Sequence, residues 1–96
     1  MLWPLKLVRI QGHSMQPFIK NGNFVLINGW VYFFRKAKIG DVVVFKNPQN
    51  NKQLFCKRIA AVDNRSYVLR GDNQKDSLNP PQTIAENQIL GRVIPL

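Results

Sequence analysis

The sequence predicts a mainly β fold: a single compact antiparallel domain over residues 1–96, with one or two short helical turns. Three observations predict it. Apolar residues come in short runs, clusters of Gly, Asn, Asp and Pro separate those runs, and no stretch of helical period exceeds about ten residues. A length of 96 residues leaves room for one domain only. With 45% hydrophobic and 20% charged residues, the chain holds enough apolar material for a core, which excludes disorder and a collagen-like or disulfide-held scaffold.

The expected strands are Leu5–Ile10, Asn23–Asn28, Asp41–Lys46, Leu54–Val62, Ser66–Arg70 and Gln88–Ile94. The breaks fall at Asn21-Gly22, Ile39-Gly40, the stretch from Asn47-Pro48 to Asn51, Asp63-Asn64 and Gly71-Asp72-Asn73. Gly and Asn tolerate positive φ there, and Pro stops a ladder. Asp63-Asn64-Arg65 reads as a hairpin turn. The helical candidates are Thr83–Asn87 and one turn after Ser14. Trp30-Val31-Tyr32-Phe33-Phe34, beside Arg35, Lys36 and Lys38, has two readings. A buried strand with a basic edge is the expected one, and an interfacial patch giving peripheral membrane contact is the other.

Fourteen Lys and Arg against five Asp and Glu give a net charge of +9, which favours a polyanion, an anionic membrane surface or an acidic substrate. The basic residues are spread from Lys6 to Arg92 without a dense block, so nucleic-acid binding is not expected. Cys56 is the only cysteine and His13 the only histidine. One of each makes neither an internal disulfide nor a complete metal site, and so small a domain is not expected to enclose a large cofactor. No segment approaches the roughly 18–20 apolar residues of a membrane span. The first ten residues carry Lys6 and Arg9 and no leader-like cleavage site. A cytoplasmic or peripheral membrane location is therefore expected.

Two segments carry candidate chemistry. In Leu54–Val62 side chains alternate faces, so Phe55, Lys57 and Ile59 point one way, with a lysine between two apolar neighbours. Such a lysine either snorkels its amine to water or sits in an apolar setting that strips its proton and makes it a general base. The second reading requires its pKa to fall from about 10.4 to near 7, roughly 4–5 kcal/mol of disfavoured charge, which burial supplies. The other segment is Gln11-Gly12-His13-Ser14-Met15-Gln16-Pro17, where Gly12 permits close backbone approach and Pro17 ends extension. Ser14 there is either a turn former or an exposed nucleophile. His13 makes a poor partner for it, because adjacent residues of an extended chain face opposite ways.

These segments, with Asn21–Asn28, Tyr32–Arg35, Gly40–Lys46, Cys56–Ile59, Gly71-Asp72-Asn73 with Ser77, and Ile89–Val93, resemble type I signal peptidases in order and over nearly the whole chain. The wider clan includes the self-cleaving domain of LexA-type repressors, and the Gly-Asp-Asn box looks like the signal-peptidase branch. The resemblance implies that Ser14 is the nucleophile and Lys57 the general base of a Ser–Lys dyad. It also implies that Ser77 hydrogen-bonds and orients Lys57, the alternative for Ser77 being a loop serine facing water. Asp72 would support the loop formed with Gly71 and Asn73. The Ser14 N–H would bind the oxyanion, at about 3–4 kcal/mol per well-placed donor. Some relatives place an assisting serine two residues before the nucleophile. Gly12 stands there instead, so a second donor must come from elsewhere.

The family's shallow apolar pocket for a small residue maps to Ile10, Met15, Ile19 and Phe55, which core packing explains equally well. The precursor protein or peptide would bind as an added extended strand. Cys56 should face away from Lys57 and pack. The chain also departs from the family. Asn79 and Pro81 replace a supporting Asp and Arg, and Lys57 to Gly71 is a mere hairpin where an insertion is usual. With no membrane anchor expected, this minimal form looks like the small maturation proteases that remove a leader from nickel-type superoxide dismutase. The rival reading is a regulatory or binding domain of the same fold, self-cleaving or catalytically idle.

Overall fold

The computed structural model describes residues 4–12, 15–47, 49–73 and 81–94. Among them, β1 (Leu5–Arg9), β2 (Phe24–Asn28), β3 (Val42–Asn47), β4 (Asn50–Asp63), β5 (Ser66–Arg70), β6 (Gln82–Ala85) and β7 (Ile89–Val93) form one sheet. The strand order is β1-β2-β7-β3-β4-β5-β6, every neighbouring pair is antiparallel, and the mainly β expectation holds.

The centre of the sheet is apolar on both sides. Val42, Val43, Val44 and Phe45 are all buried, and period-2 alternation sends them to opposite faces. Val42 and Val44 join Val8, Ile10, Met15, Ile19, Ile27, Cys56 and Val93 in one cluster. Val43 and Phe45 join Ala37, Ile59, Tyr67, Leu69 and Ile84 in the other. Leu69, Val43 and Val44 have no exposed surface, and each such aliphatic side chain contributes about 1.5–3 kcal/mol of burial. β7 lies so close to β2 that a Cβ on Gly91 would stand 2.8 Å from the Asn28 carbonyl oxygen, so only glycine fits.

Most of the expected strands are present with shifted ends. β4 is longer than Leu54–Val62, because its polar start is carried by the hairpin with β3. Asn47 pairs with Asn50, and the Asn47 amide donates to Gln53 Oε1 at 2.9 Å. The expected turn at Asp63-Asn64-Arg65 is observed: Asp63 pairs with Ser66, and Asn64 takes a positive φ of 54°. One turn follows position 14, with the Ile19 N–H donating to the Met15 carbonyl at 2.9 Å.

Two expectations are corrected. Thr83–Asn87 is not a helix: β6 occupies Gln82–Ala85, and only Glu86–Gln88 forms a 3₁₀ turn. Ladder bonds to β5 and burial of Ile84 outweigh weak local helix preference. Trp30–Phe34 is not a buried strand. Val31–Phe34 forms a single helical turn, α1, with no buried residue, and Phe33 and Phe34 are 81% and 84% exposed. The Trp30 N–H donates to Asn28 Oδ1 at 2.9 Å at its start, and the Asp41 carboxylate draws in the residues that follow. No helix among the described residues is long and apolar enough to cross a membrane.

Candidate active site

Lys57 reaches the interior because β4 alternates. It is only 8% exposed, it pairs with Val43, and its neighbours two residues away, Phe55 and Ile59, pack in the second cluster. Cys56 points the other way, into the first cluster with Val44 and Met15. Burial pushes its thiol up to about 12, with the charge of Asp72 adding to the effect. As the alternation predicts, Cys56 packs on the face opposite Lys57.

The segment that leads to Ser14 is bound to this same part of β4. The Gln11 N–H donates to the Leu54 carbonyl at 3.0 Å, and a Cβ on Gly12 would lie 4.0 Å from Phe55 Cε1. Gly12 has φ +94°, a conformation that favours glycine, and its N–H donates to Asn21 Oδ1 at 2.9 Å. Bonds from Ile10 N–H to Asn23 O and from Gly22 N–H to Ile10 O close the base of the loop. Beyond it Met15 is 1% exposed. His13, Ser14, Ser77 and Asn79 lie outside the described residues, as does Pro48 of the β3–β4 turn.

The resemblance maps a substrate pocket to four residues. Ile10, Met15 and Ile19 are together in the first cluster, 2%, 1% and 4% exposed. Phe55 is on the Lys57 face, half-buried against the second cluster and edge-on to Phe45 with ring centroids 6.2 Å apart. A separate groove of about 250 Å³, lined by Phe18, Phe24, Leu26 and Ile94 among others, shares only Ile19 with the assigned pocket.

The Gly71-Asp72-Asn73 loop is fastened to β4 next to Lys57. Arg58 grips Asp72 with both ends of its guanidinium, Nε to Oδ1 at 2.9 Å and Nη2 to Oδ2 at 2.8 Å. The ladder that pairs Arg58 with Arg70 brings Gly71 alongside Lys57. Arg58 also donates to the Gly40 carbonyl at 2.9 Å, and its Cζ stands 5.9 Å from the Phe18 ring centroid. One guanidinium thus links the turn after Ser14, the strand of Lys57 and the loop leading toward Ser77. Asp72, on the Gly71-Asp72-Asn73 loop, thus has Arg58 as its partner.

A second cluster was not foreseen. The Asp41 carboxylate, 9% exposed, accepts from Tyr32 Oη at 2.9 Å, Arg35 Nη1 at 3.0 Å, the Lys38 N–H at 3.1 Å and Arg92 Nε at 3.3 Å. Burial alone would raise its pKa, but the hydrogen bonds from Arg35, the Lys38 backbone and Tyr32 outweigh it and hold the carboxyl below its usual range. Tyr32 is pushed up by burial and by its bond to Asp41. Because Arg92 and Lys57 both pair with Val43, this cluster shares a face of the sheet with Lys57, about 10 Å away. Its signal in the sequence was an acidic residue with a neutralising excess of arginines, which does not reveal the partners.

Fold and site together define a class: an antiparallel β domain that buries one lysine on its longest strand, beside a glycine-bearing loop. The comparisons agree with that class. Residues 2–66 match the family model described as signal peptidase, peptidase S26. The chain is 42% identical over 52 residues to signal peptidase I of Aquifex aeolicus (strain VF5), covering 54% of this chain and 20% of that protein. It is 30% identical over 91 residues to mitochondrial inner membrane protease subunit 1 of Mus musculus, covering 74% of this chain and 55% of the relative. Subunit 2 of the Mus musculus protease is 32% identical over 62 residues, covering 59% of this chain and 35% of its own length. The chain belongs to the signal peptidase family, peptidase S26. It spans about half the length, or less, of these relatives.

Proposed function

We propose that this domain is a serine endopeptidase that removes an N-terminal signal or leader from a precursor protein, using Ser14 as nucleophile and Lys57 as general base. The observation that carries the reading is the burial of Lys57 between Phe55 and Ile59, on the stretch of β4 to which Gln11 is hydrogen-bonded. Only two residues, Gly12 and His13, lie between Gln11 and Ser14, a chain span of at most about 10 Å, which supports pairing Ser14 with this stretch.

In the reaction, the neutral Lys57 amine takes the Ser14 proton as Oγ attacks the scissile carbonyl carbon, and the oxyanion is met by the Ser14 N–H and a second donor. The lysine passes the proton to the leaving amine, the C–N bond breaks, and an acyl-enzyme ester remains. Water, deprotonated by the same lysine, hydrolyses the ester and restores Ser14. Ser77 orients the amine, and the Arg58–Asp72 pair supports that loop from below. The substrate joins as an extended strand and a small side chain precedes the cut bond. Phe55 is the half-buried wall it meets, and Ile10, Met15 and Ile19 back the site from the core.

The two-residue Asn64-Arg65 turn between β4 and β5 leaves the Lys57–Gly71 segment without an inserted domain. That economy supports a narrower reading, maturation of a small precursor such as nickel-type superoxide dismutase. The test is incubation of purified protein with candidate precursors, followed by intact-mass spectrometry. Cleavage in trans after a small residue is expected, with Ser14→Ala and Lys57→Met inactive. Cleavage that survives Lys57→Met rejects the mechanism. An intact precursor with both residues present leaves a binding or self-cleaving domain as the reading.

A further inference from the structure

Lys57 stands in a row of side chains that crosses the sheet. Val43 pairs with Lys57 on one side and with Arg92 on the other, so all three side chains leave from one face. Two strand spacings separate Lys57 from Arg92, about 10 Å. Asp41, two residues before Val43, belongs to the same face and is the diagonal neighbour of Lys57 across the β3–β4 ladder. It holds two cations, Arg35 Nη1 at 3.0 Å and Arg92 Nε at 3.3 Å. Two guanidinium groups against one carboxylate leave one positive charge in excess.

That excess is fixed. Burial would raise the Asp41 carboxyl, but its hydrogen bonds hold it below the usual range. Burial and the bond to Asp41 push the Tyr32 hydroxyl up, and guanidinium groups keep their proton throughout. The cluster therefore carries the same charge from about pH 5 to about pH 10. The other charges near Lys57, among the described residues, do not offset it. Asp72, on the loop beyond Gly71, is neutralised by Arg58 through two bonds. Phe55 and Ile59 of β4, Phe45 of β3 and Leu69 of β5 share the face and carry no charge. Lys46 and Arg70 leave from the opposite face, and Lys36 and Lys38 after α1 stand in water. Glu86 lies beside Tyr67, whose partner Val62 is five residues along β4 from Lys57, more than about 15 Å away and beyond the screening length of ordinary salt.

We propose that the Asp41 cluster is a fixed electrostatic support for Lys57, its surplus positive charge, supplied across the sheet by Arg92, disfavouring protonation of the lysine amine. This deepens the proteolytic reading and rests on it for its purpose, since a general-base lysine must be neutral. Burial removes water from the amine, and the cluster adds repulsion that water would otherwise screen. Arg92 and Asp41 are positioning residues in this scheme, acting on Lys57 with opposite signs. Asp41 sets how much of the arginine charge Lys57 feels.

The experiment titrates Lys57 directly. In the full chain with isotope-labelled lysine, NMR follows the Lys57 Cε resonance, assigned by its absence in Lys57→Met, from about pH 5 to about pH 11. A part-exposed charge about 10 Å away is expected to move the midpoint by about half a pH unit. Arg92→Gln should raise it by that amount, Asp41→Asn should lower it by as much or more, and Arg92→Lys, which keeps the charge, should leave it in place. The opposite signs separate this role from a structural one. Loosening the cluster would admit water in both variants and move both midpoints upward together. If Arg92→Gln does not fold, Arg35→Gln removes the other cation and should give the same upward move. Midpoints that stay put in the charge-changing variants, or that move in one direction in both, overturn the proposal. The titration needs no cleavage, so two results stay distinct. A wild-type midpoint at the ordinary lysine value of about 10.4 contradicts the general-base mechanism, whereas the order of the variants about wild type tests the cluster.

Discussion

Replacing Asp41 removes the acceptor around which α1, β3 and β7 are joined. The carboxylate takes four close hydrogen bonds, from Tyr32, Arg35, the Lys38 backbone and Arg92, at 2.9–3.3 Å. Breaking a fully buried ion pair costs about 3–5 kcal/mol, but the Arg35 and Arg92 side chains are 30% and 34% exposed and recover hydration. The expected cost of Asp41→Ala is therefore about 2–3 kcal/mol. For a chain of this length each kcal/mol lowers Tm by about 4–8 °C, giving a drop of roughly 10–20 °C. Asp41→Asn keeps an acceptor and the shape, so it should lose about half as much. The sign with pH follows from the direction of the shift. The folded carboxyl lies below its ordinary value, so its contribution is complete above about pH 4 and fades as pH falls through the folded value. Calorimetric melts from about pH 7 to about pH 2.5 check this. The gap between wild type and Asp41→Asn should be constant above about pH 5 and shrink below about pH 4. A gap unchanged at the acid end, or Asp41→Ala melting with wild type, would refute the reasoning.

Two other predictions concern the surroundings of Lys57. Arg58→Lys keeps the charge but loses the two-point grip on Asp72. Precursor cleavage should fall by about tenfold in kcat with little change in KM, whereas an unchanged kcat would release Arg58 from any part in positioning. Cys56, 1% exposed and pushed up to about 12, should resist alkylation at about pH 8 in the native protein and react fully in denaturant. Rapid native labelling, read by mass spectrometry, would contradict its burial.

What was readable in the sequence was what short-range chemistry fixes. Alternation put Cys56 and Lys57 on opposite faces of β4, and Asp63-Asn64-Arg65 announced the β4–β5 turn through the tolerance of Asn64 for positive φ. The failures came where distant contacts decide. Thr83–Ala85 became strand because β5 offered a ladder, and the apolar run Val31–Phe34 became an exposed turn because Asp41, several residues later, captured Tyr32 and Arg35. Arg92 and Asp41 are 51 residues apart, and neither residue type names its partner. The buried lysine was legible as a pattern. The Arg58–Asp72 clamp was not, because its two residues stand 14 positions apart and neither type names its partner.

The claim that a neutral lysine activates Ser14 is tested most directly by the pH dependence of kcat/KM for precursor cleavage, with Ser14→Ala as the blank. The predicted profile rises about tenfold per pH unit through the ionisation of Lys57 and levels off well below the ordinary lysine value of about 10.4. A rate that stays flat between about pH 6 and pH 10 would contradict it.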